Sequence, residues 1–244
     1  MEDNKSVSTL NRMKEDRQDK ALKHPHTLHS KEIAKLINDT LRLKHDVWVV
    51  TDWHLWRKKE KGKVECHKRS DFDEVINEYK KTVKPEDLVI NLGDIVDGEL
   101  ADNKSFEELK NILKSLPGKM ILVRGNNDLK DAGFYKACGF KYVVQAFVWS
   151  NVLFTHMPIE NAFDLNIHGH IHGYRRYWVP YTNQIDAAAY DGRKKPVDLL
   201  KLLRSQPIYA KTIKEEPEHF NESASVFDIE LSNSLEDPFP DEEE

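Results

Sequence analysis

Seven side chains able to bind a metal ion fall in short motifs along this sequence. They are Asp52 and His54 two residues apart, Asp94 and Asn126 each directly after a glycine, His156 after a threonine, and His170 and His172 inside HGHIHG. Carboxylates, imidazoles and an amide oxygen, with no thiolate among them, suit manganese, iron, zinc or nickel better than they suit a cysteine-bound zinc. Seven ligands exceed what one open catalytic ion takes. They fit two divalent ions sharing a carboxylate, manganese foremost, and paired ions about 3.5–4 Å apart are the usual device for phosphoryl displacement. Water held between such ions loses a proton readily, since a single zinc already brings bound water to a pKa of about 7. The metal-bridging hydroxide so formed could attack phosphorus in line while the ions neutralise the phosphate oxygens.

Ligands so far apart in sequence need elements that bring them together. VWVVTD (47–52), DLVINLGD (87–94) and KMILVRG (119–125) are apolar runs of strand length, and each ends on one of the motifs. Between them Phe72, Val75, Ile76 and Tyr79, then Phe106, Leu109, Ile112, Leu113 and Leu116, repeat at helical spacing. The β-α-β-α-β order predicts a largely parallel sheet with covering helices. Ser30 reads as the N-cap of a leading helix through Ile33, Leu36, Ile37 and Leu41. KYVVQAFVWS and NVLFTH form a predicted hairpin about Ser150-Asn151, LNIHG and NQIDAAAY two further strands, and Val197, Leu199, Leu200, Leu202 and Leu203 a closing helix. Ligands of such sheets gather at the carboxyl ends of strands, so five strand ends are expected to converge.

In order and setting, Asp52-x-His54, Gly93-Asp94, Gly125-Asn126-x-Asp128, His156 and Gly169-His170-x-His172 resemble the calcineurin-like metallophosphoesterase superfamily, over roughly residues 46–205. The NQIDAAAYDGRKKPVDLL segment is similar to the closing strand and turn of small bacterial and phage-encoded members. The resemblance implies an α/β fold of two packed mixed β-sheets flanked by helices, a four-layer αββα sandwich. It implies that Asp52, His54 and His172 bind one ion, that Asn126, His156 and His170 bind the other, and that Asp94 bridges them. Many members carry histidine where Asn127 stands, and there it stabilises the transition state or protonates the leaving group. Asn127 can donate a hydrogen bond but cannot deliver a proton as an acid. Arg124, just before Gly125-Asn126, could reach a phosphate oxygen or only pair with a surface carboxylate. Asp94, Asn126, Asn127 and Arg124 form the expected catalytic set. His168 reads as a structural or supporting residue, Asp97 and Asp128 as supports or turn residues with a direct ligand role as the secondary reading, and Trp53, Trp56, Trp149 and Trp178 as core or rim.

Composition narrows the function further. The net charge is −5, but residues 215–244 hold 12 acidic and no basic side chains, which leaves 37 basic against 30 acidic residues in the rest. A mildly basic body suits a phosphorylated small molecule or nucleotide. The basic segment Leu55–Arg69, containing Cys66 and His67, is either a solvated loop or a lining of the substrate entrance. The expected organisation is a flexible polar arm (1–30), one domain (31–210) and an acidic disordered tail (211–244). With no apolar run of about 20 residues, no signal-peptide core and only Cys66 and Cys138 as thiols, a cytoplasmic protein without a membrane partner is expected. Hydrolysis of phosphate mono- or diesters leads the functional readings. Nucleic-acid processing is the alternative, disfavoured because about 40 residues after His172 leave little room for a capping domain. A non-catalytic metal-binding scaffold comes last.

Overall fold

The computed structural model describes residues 27–55, 69–96, 103–159, 164–172 and 183–205. Helix α1 (Thr27–Arg42) leads into β1 (Val47–Val50), followed by α2 (Arg69–Thr82), β2 (Leu88–Asn91), α3 (Asn103–Lys114), β3 (Lys119–Val123), α4 (Ala132–Ala137) and β4 (Phe140–Val144). Then come β5 (Ala146–Trp149), β6 (Val152–Thr155), β7 (Leu165–His168), β8 (Gln184–Asp186), a 3-10 turn (Ala187–Tyr190), β9 (Val197–Asp198) and α5 (Leu199–Arg204). One sheet has the order β4-β3-β2-β1-β9, with β1 to β4 parallel and β9 antiparallel to β1. The other has the order β5-β6-β7-β8, antiparallel at β5–β6 and parallel beyond. These two mixed sheets with their helices are the α/β sandwich expected.

Between the sheets lies one core. Val47, Val49, Leu88, Ile90, Ile121 and Val123 meet Phe147, Phe154, Ile167 and Ile185, and α1 and α5 add Ile33, Ile37, Leu202 and Leu203. The other face of the first sheet packs Val89, Met120 and Leu122 against Ile76 and Tyr79 of α2, Leu109 and Leu113 of α3 and Tyr135 of α4. Trp53 joins this cluster edge-on to Tyr79, and Trp149 is buried with its indole N–H on Asn38 Oδ1. Trp56 and Trp178 lie outside the described residues, as do Asp97, Cys66, His67, the arm before Thr27 and the acidic tail.

Four details differ from the sequence reading. First, α1 starts at Thr27, a turn before the expected cap, and Ser30 is buried inside it. Second, the single run KYVVQAFVWS is two strands in different sheets. Tyr142 and Val144 face the inter-sheet core before Gln145, whereas Phe147 and Trp149 face it afterwards. Crossing from one layer to the opposite one exchanges the face that points inward, so an unbroken apolar run satisfies both strands. Third, Val197 is not helical but pairs with Val49 in β9, which makes the first sheet mixed. Fourth, the short helix α4, capped by Asp131, was not anticipated. The Ser150-Asn151 hairpin turn does form, with φ of 48° and 59°, the left-handed pair a two-residue turn requires.

At the amino end of the first sheet, buried Asp87 accepts the backbone N–H groups of Asp46 (3.1 Å) and Lys84 (2.9 Å) and the indole N–H of Trp48 (2.9 Å). Burial opposes its charge, but these donors outweigh burial and lower its pKa. A carboxyl depressed in the folded state contributes stability above its unfolded pKa, about 3.9, and loses it as pH falls through the folded value. Asp87→Asn should therefore cost about 1–3 kcal/mol at pH 7. In urea denaturation followed across pH, the gap between the two proteins should narrow below about pH 4. A gap independent of pH would mean that the charge is not what holds this corner.

Candidate metal centre

The β1–β2 pairing continues past the ends of both strands. Leu92 N–H donates to Val50 O (2.8 Å), Asp52 N–H to Gly93 O (2.9 Å), His54 N–H to Asp94 O (2.9 Å) and Leu55 N–H to Ile95 O (2.8 Å). The two loops are thus zipped together, which sets Asp52 and His54 beside Asp94. Asp52, His54 and Asp94 all have left-handed backbones, with φ of 51°, 44° and 54°, and so do His170 (68°) and His172 (53°). Non-glycine residues adopt this conformation at a cost, and they cluster where a structure over-determines them for function. Here they carry five of the seven candidate ligands.

Two groups of ligand atoms result, each gathered within 4.8 Å: Asp52, His54 and His172, and Asp94, His156 and His170. In the first, His54 Nε2 is 2.9 Å from His172 Nε2, and Asp52 Oδ1 is 3.4 Å from the latter. In the second, His156 Nε2 lies 3.4 Å from Asp94 Oδ2 and 3.2 Å from His170 Nδ1. Asn126 Oδ1 joins it, at 2.9 Å from His156 Nε2 and 3.1 Å from His170 Nδ1. Asp94 Oδ2 is also 3.5 Å from His54 Nε2 in the first group. With bonds of about 2.0–2.2 Å, neighbouring ligands of one cation stand roughly 2.8–3.6 Å apart.

The lone pairs give a further test of fit. His156 Nδ1–H donates to Leu92 O (2.7 Å), so in the neutral ring Nε2 carries a lone pair aimed at two acceptors, Asp94 Oδ2 and Asn126 Oδ1. Positive charge, from a proton on Nε2 or from a cation, would satisfy that convergence. Burial works against charge on His156, but Asp94 and Asp52 overcome it and raise its pKa to about 9. Asp94 is lowered to about 2, with burial opposing and His156 prevailing. Burial also opposes charge on Asp52, whose carboxyl is nonetheless held well below the usual range by the His172 hydrogen bond and the surrounding imidazoles. A divalent cation would supply the same balance.

Other residues hold the ligands in place. Thr51 Oγ1–H (2.6 Å) and His170 N–H (3.0 Å) donate to Asp52 Oδ2. Asn127 donates its N–H to Asp94 Oδ1 (2.9 Å) and its Nδ2–H to Asp94 Oδ2 (2.8 Å). Buried Asp128 clamps two loops by accepting the N–H groups of Asp94, Ile95 and Gly125. Its burial, with Asp94 nearby, pushes its pKa up to about 6 despite those donors. Arg124 donates Nη2–H to Asp128 O (2.8 Å), a contact with the turn rather than with either ligand group. His168 is buried outside both groups, with Nδ1–H on Gly169 O, and burial lowers its pKa to about 4, so its ring stays neutral. Sequence reading missed Thr51 and Arg193. Arg193 Nε–H donates to Asp52 O (3.2 Å) from 141 residues away. A cation in a turn carries no periodic signal, so only the fold reveals that contact.

A family model for the calcineurin-like phosphoesterases matches residues 45–232. Among solved structures, a protein of unknown function from Aquifex aeolicus is 22% identical with a TM-score of 0.47, over 64% of this chain and 97% of that one. The nuclease MPE of Pseudomonas putida is 19% identical with a TM-score of 0.38, over 52% of this chain and 61% of that one. No curated protein matches the chain. No helix among the described residues is long and apolar enough to cross a membrane.

Gly169 passes so close to the first group that a Cβ there would overlap Thr51 Oγ1 and crowd Asp52 Oδ2. Gly169→Ala should therefore displace the Asp52 carboxylate. Manganese bound after loading and desalting, measured by plasma mass spectrometry, should fall below the wild-type content while the circular dichroism spectrum persists. Full manganese retention would show that Asp52 tolerates the displacement or is not a ligand.

Proposed function

The chain belongs to the calcineurin-like phosphoesterase family, and on that premise we propose that it hydrolyses phosphate esters, as a monoesterase, a diesterase or both, with two divalent cations. Asp94 carries this reading: one carboxylate oxygen lies 3.5 Å from His54 Nε2 and 3.4 Å from His156 Nε2, and so addresses both ligand groups. In this proposal Asp52, His54 and His172 hold one cation, Asn126, His156 and His170 hold the other, and Asp94 joins them. Manganese is the leading candidate, since the donors are carboxylate, imidazole and amide oxygen. When bound, the cations polarise the phosphate ester and lower the pKa of water. The substrate is a phosphorylated small molecule or nucleotide.

The protein's own groups then position and hold. Leu92 O keeps the His156 proton on Nδ1, so that Nε2 stays a lone-pair donor. Asn127 grips both oxygens of Asp94 and so orients the shared carboxylate. This modifies the expectation for Asn127 as a group facing the leaving group. One amide N–H is engaged by Asp94, the second can donate to a substrate oxygen, and neither can be transferred as an acid.

Two tests follow. Asp94→Ala should lower manganese-dependent turnover of p-nitrophenyl phosphate and bis(p-nitrophenyl) phosphate by at least about 10³-fold, the several kcal/mol expected of paired Lewis acids. Near wild-type turnover and metal content would refute the assignment. For Asn127, wild-type kcat/KM should fall steeply as leaving-group pKa rises. Asn127→His should favour alkyl over aryl esters by up to the roughly 10²–10⁴-fold of general-acid assistance, even if the lost grip on Asp94 lowers all rates together. Parallel plots of log kcat/KM against leaving-group pKa for the two proteins would remove position 127 from leaving-group departure.

A further inference from the structure

Beside the first ligand group stands a cation that the ligand motifs do not include. Arg193 lies in the turn between the 3-10 turn and β9, and that turn is bolted to the end of β1. Thr51 N–H donates to Gly192 O (3.1 Å), Gly192 N–H returns to Ala187 O (3.0 Å), and Asp191 takes a left-handed φ of 69°. Lys194 and Lys195 N–H groups both close on Asp191 O, at 2.8 and 3.0 Å. A side chain on this scaffold is held in register with Thr51-Asp52. Arg193 Nε–H donates to the Asp52 carbonyl (3.2 Å), which brings the half-buried guanidinium to the residue whose carboxylate belongs to the first group. It is also close enough to His172 for its charge to act on that ring.

We propose that Arg193 is a substrate-binding residue for a phosphoryl oxygen and that it makes the site selective for terminal phosphates, that is, dianionic phosphate monoesters. This rests on the phosphoesterase reading above and deepens it. A monoester presents three non-bridging oxygens and a diester only two. A dinuclear centre flanked by an arginine offers positive charge to three oxygens, and guanidinium is the side chain best matched to phosphate. The dianion also gains more than the monoanion from each cation near it. The bond to Asp52 O pre-orients the guanidinium, so less entropy is lost when phosphate is bound.

The test uses the full chain loaded with manganese, as wild type, Arg193→Gln and Arg193→Lys. Manganese content and melting temperature should match in all three. Inorganic phosphate, titrated calorimetrically, should bind Arg193→Gln roughly 10–100-fold more weakly, the range for hydrogen bonds to charged groups, and Arg193→Lys should recover part of the loss. For Arg193→Gln, kcat/KM for p-nitrophenyl phosphate should fall by a similar factor, mostly through KM, with bis(p-nitrophenyl) phosphate changing less than about 3-fold. Equal losses on both esters, or unchanged phosphate affinity, would overturn the proposal. So would a loss of manganese or of melting temperature in Arg193→Gln, which would make Arg193 a clamp on the Asp52 loop. Wild-type protein that binds phosphate through Arg193 yet hydrolyses neither ester would sink the phosphoesterase reading and leave the binding role standing.

Discussion

The pairing between the two central parallel strands outlasts the strands themselves, and the rest of the site depends on that. Beyond Val50 and Asn91 the chains keep exchanging hydrogen bonds through Asp52, His54 and Leu55, although Asp52, His54 and Asp94 have all left extended geometry. Each left-handed residue costs free energy, and the bonded neighbour loop offsets that cost. The result is a rigid double loop that presents Asp52, His54 and Asp94 together, with no regular secondary structure at the point where they meet.

Close approach of backbones makes the remaining contributions possible. Gly93, at φ 97°, lies where a Cβ would collide with the backbone of Gly125, and a Cβ at Gly125 would collide with Asp94. These two glycines let the loops after β2 and β3 touch. Asp128 then ties them by accepting N–H groups from both, and Asn127 turns from the third loop onto the Asp94 carboxylate. From the second sheet, His156 is fixed by its bond to Leu92 O of the first, while Gly169 slides under Thr51 and Asp52 to bring in His170 and His172. The site sits at the seam of the two sheets because its ligands are divided between them.

Electrostatics gives this packing its purpose. The assembly buries Asp52, Asp94, His54 and His156 together, an arrangement that is costly unless charge is balanced. The carboxylates are held ionised and His156 is driven toward its protonated form, so the pocket demands positive charge whether or not a proton supplies it. A pair of divalent cations would answer the same demand and would add the chemistry that phosphate esters need.

Sequence alone determined the types and order of the candidate ligands, because a strand-end motif is local. An apolar run, then a glycine or threonine, then a carboxylate, amide or imidazole can be read without knowing the neighbours. The parallel order β1-β2-β3 and the hairpin at Ser150-Asn151 were legible for the same reason. Tertiary structure decided what depends on two distant segments meeting. The split of KYVVQAFVWS between two sheets was hidden because both halves are apolar, and only the change of inward face at Gln145 separates them. Val197 reads as helical by spacing but is captured by the edge of β1. The grip of Asn127 on Asp94 and the placing of Arg193 on Asp52 join residues 33 and 141 positions apart. Neither contact follows from composition or period, because side-chain hydrogen bonds of that span are set by how the loops pack and by nothing within either loop.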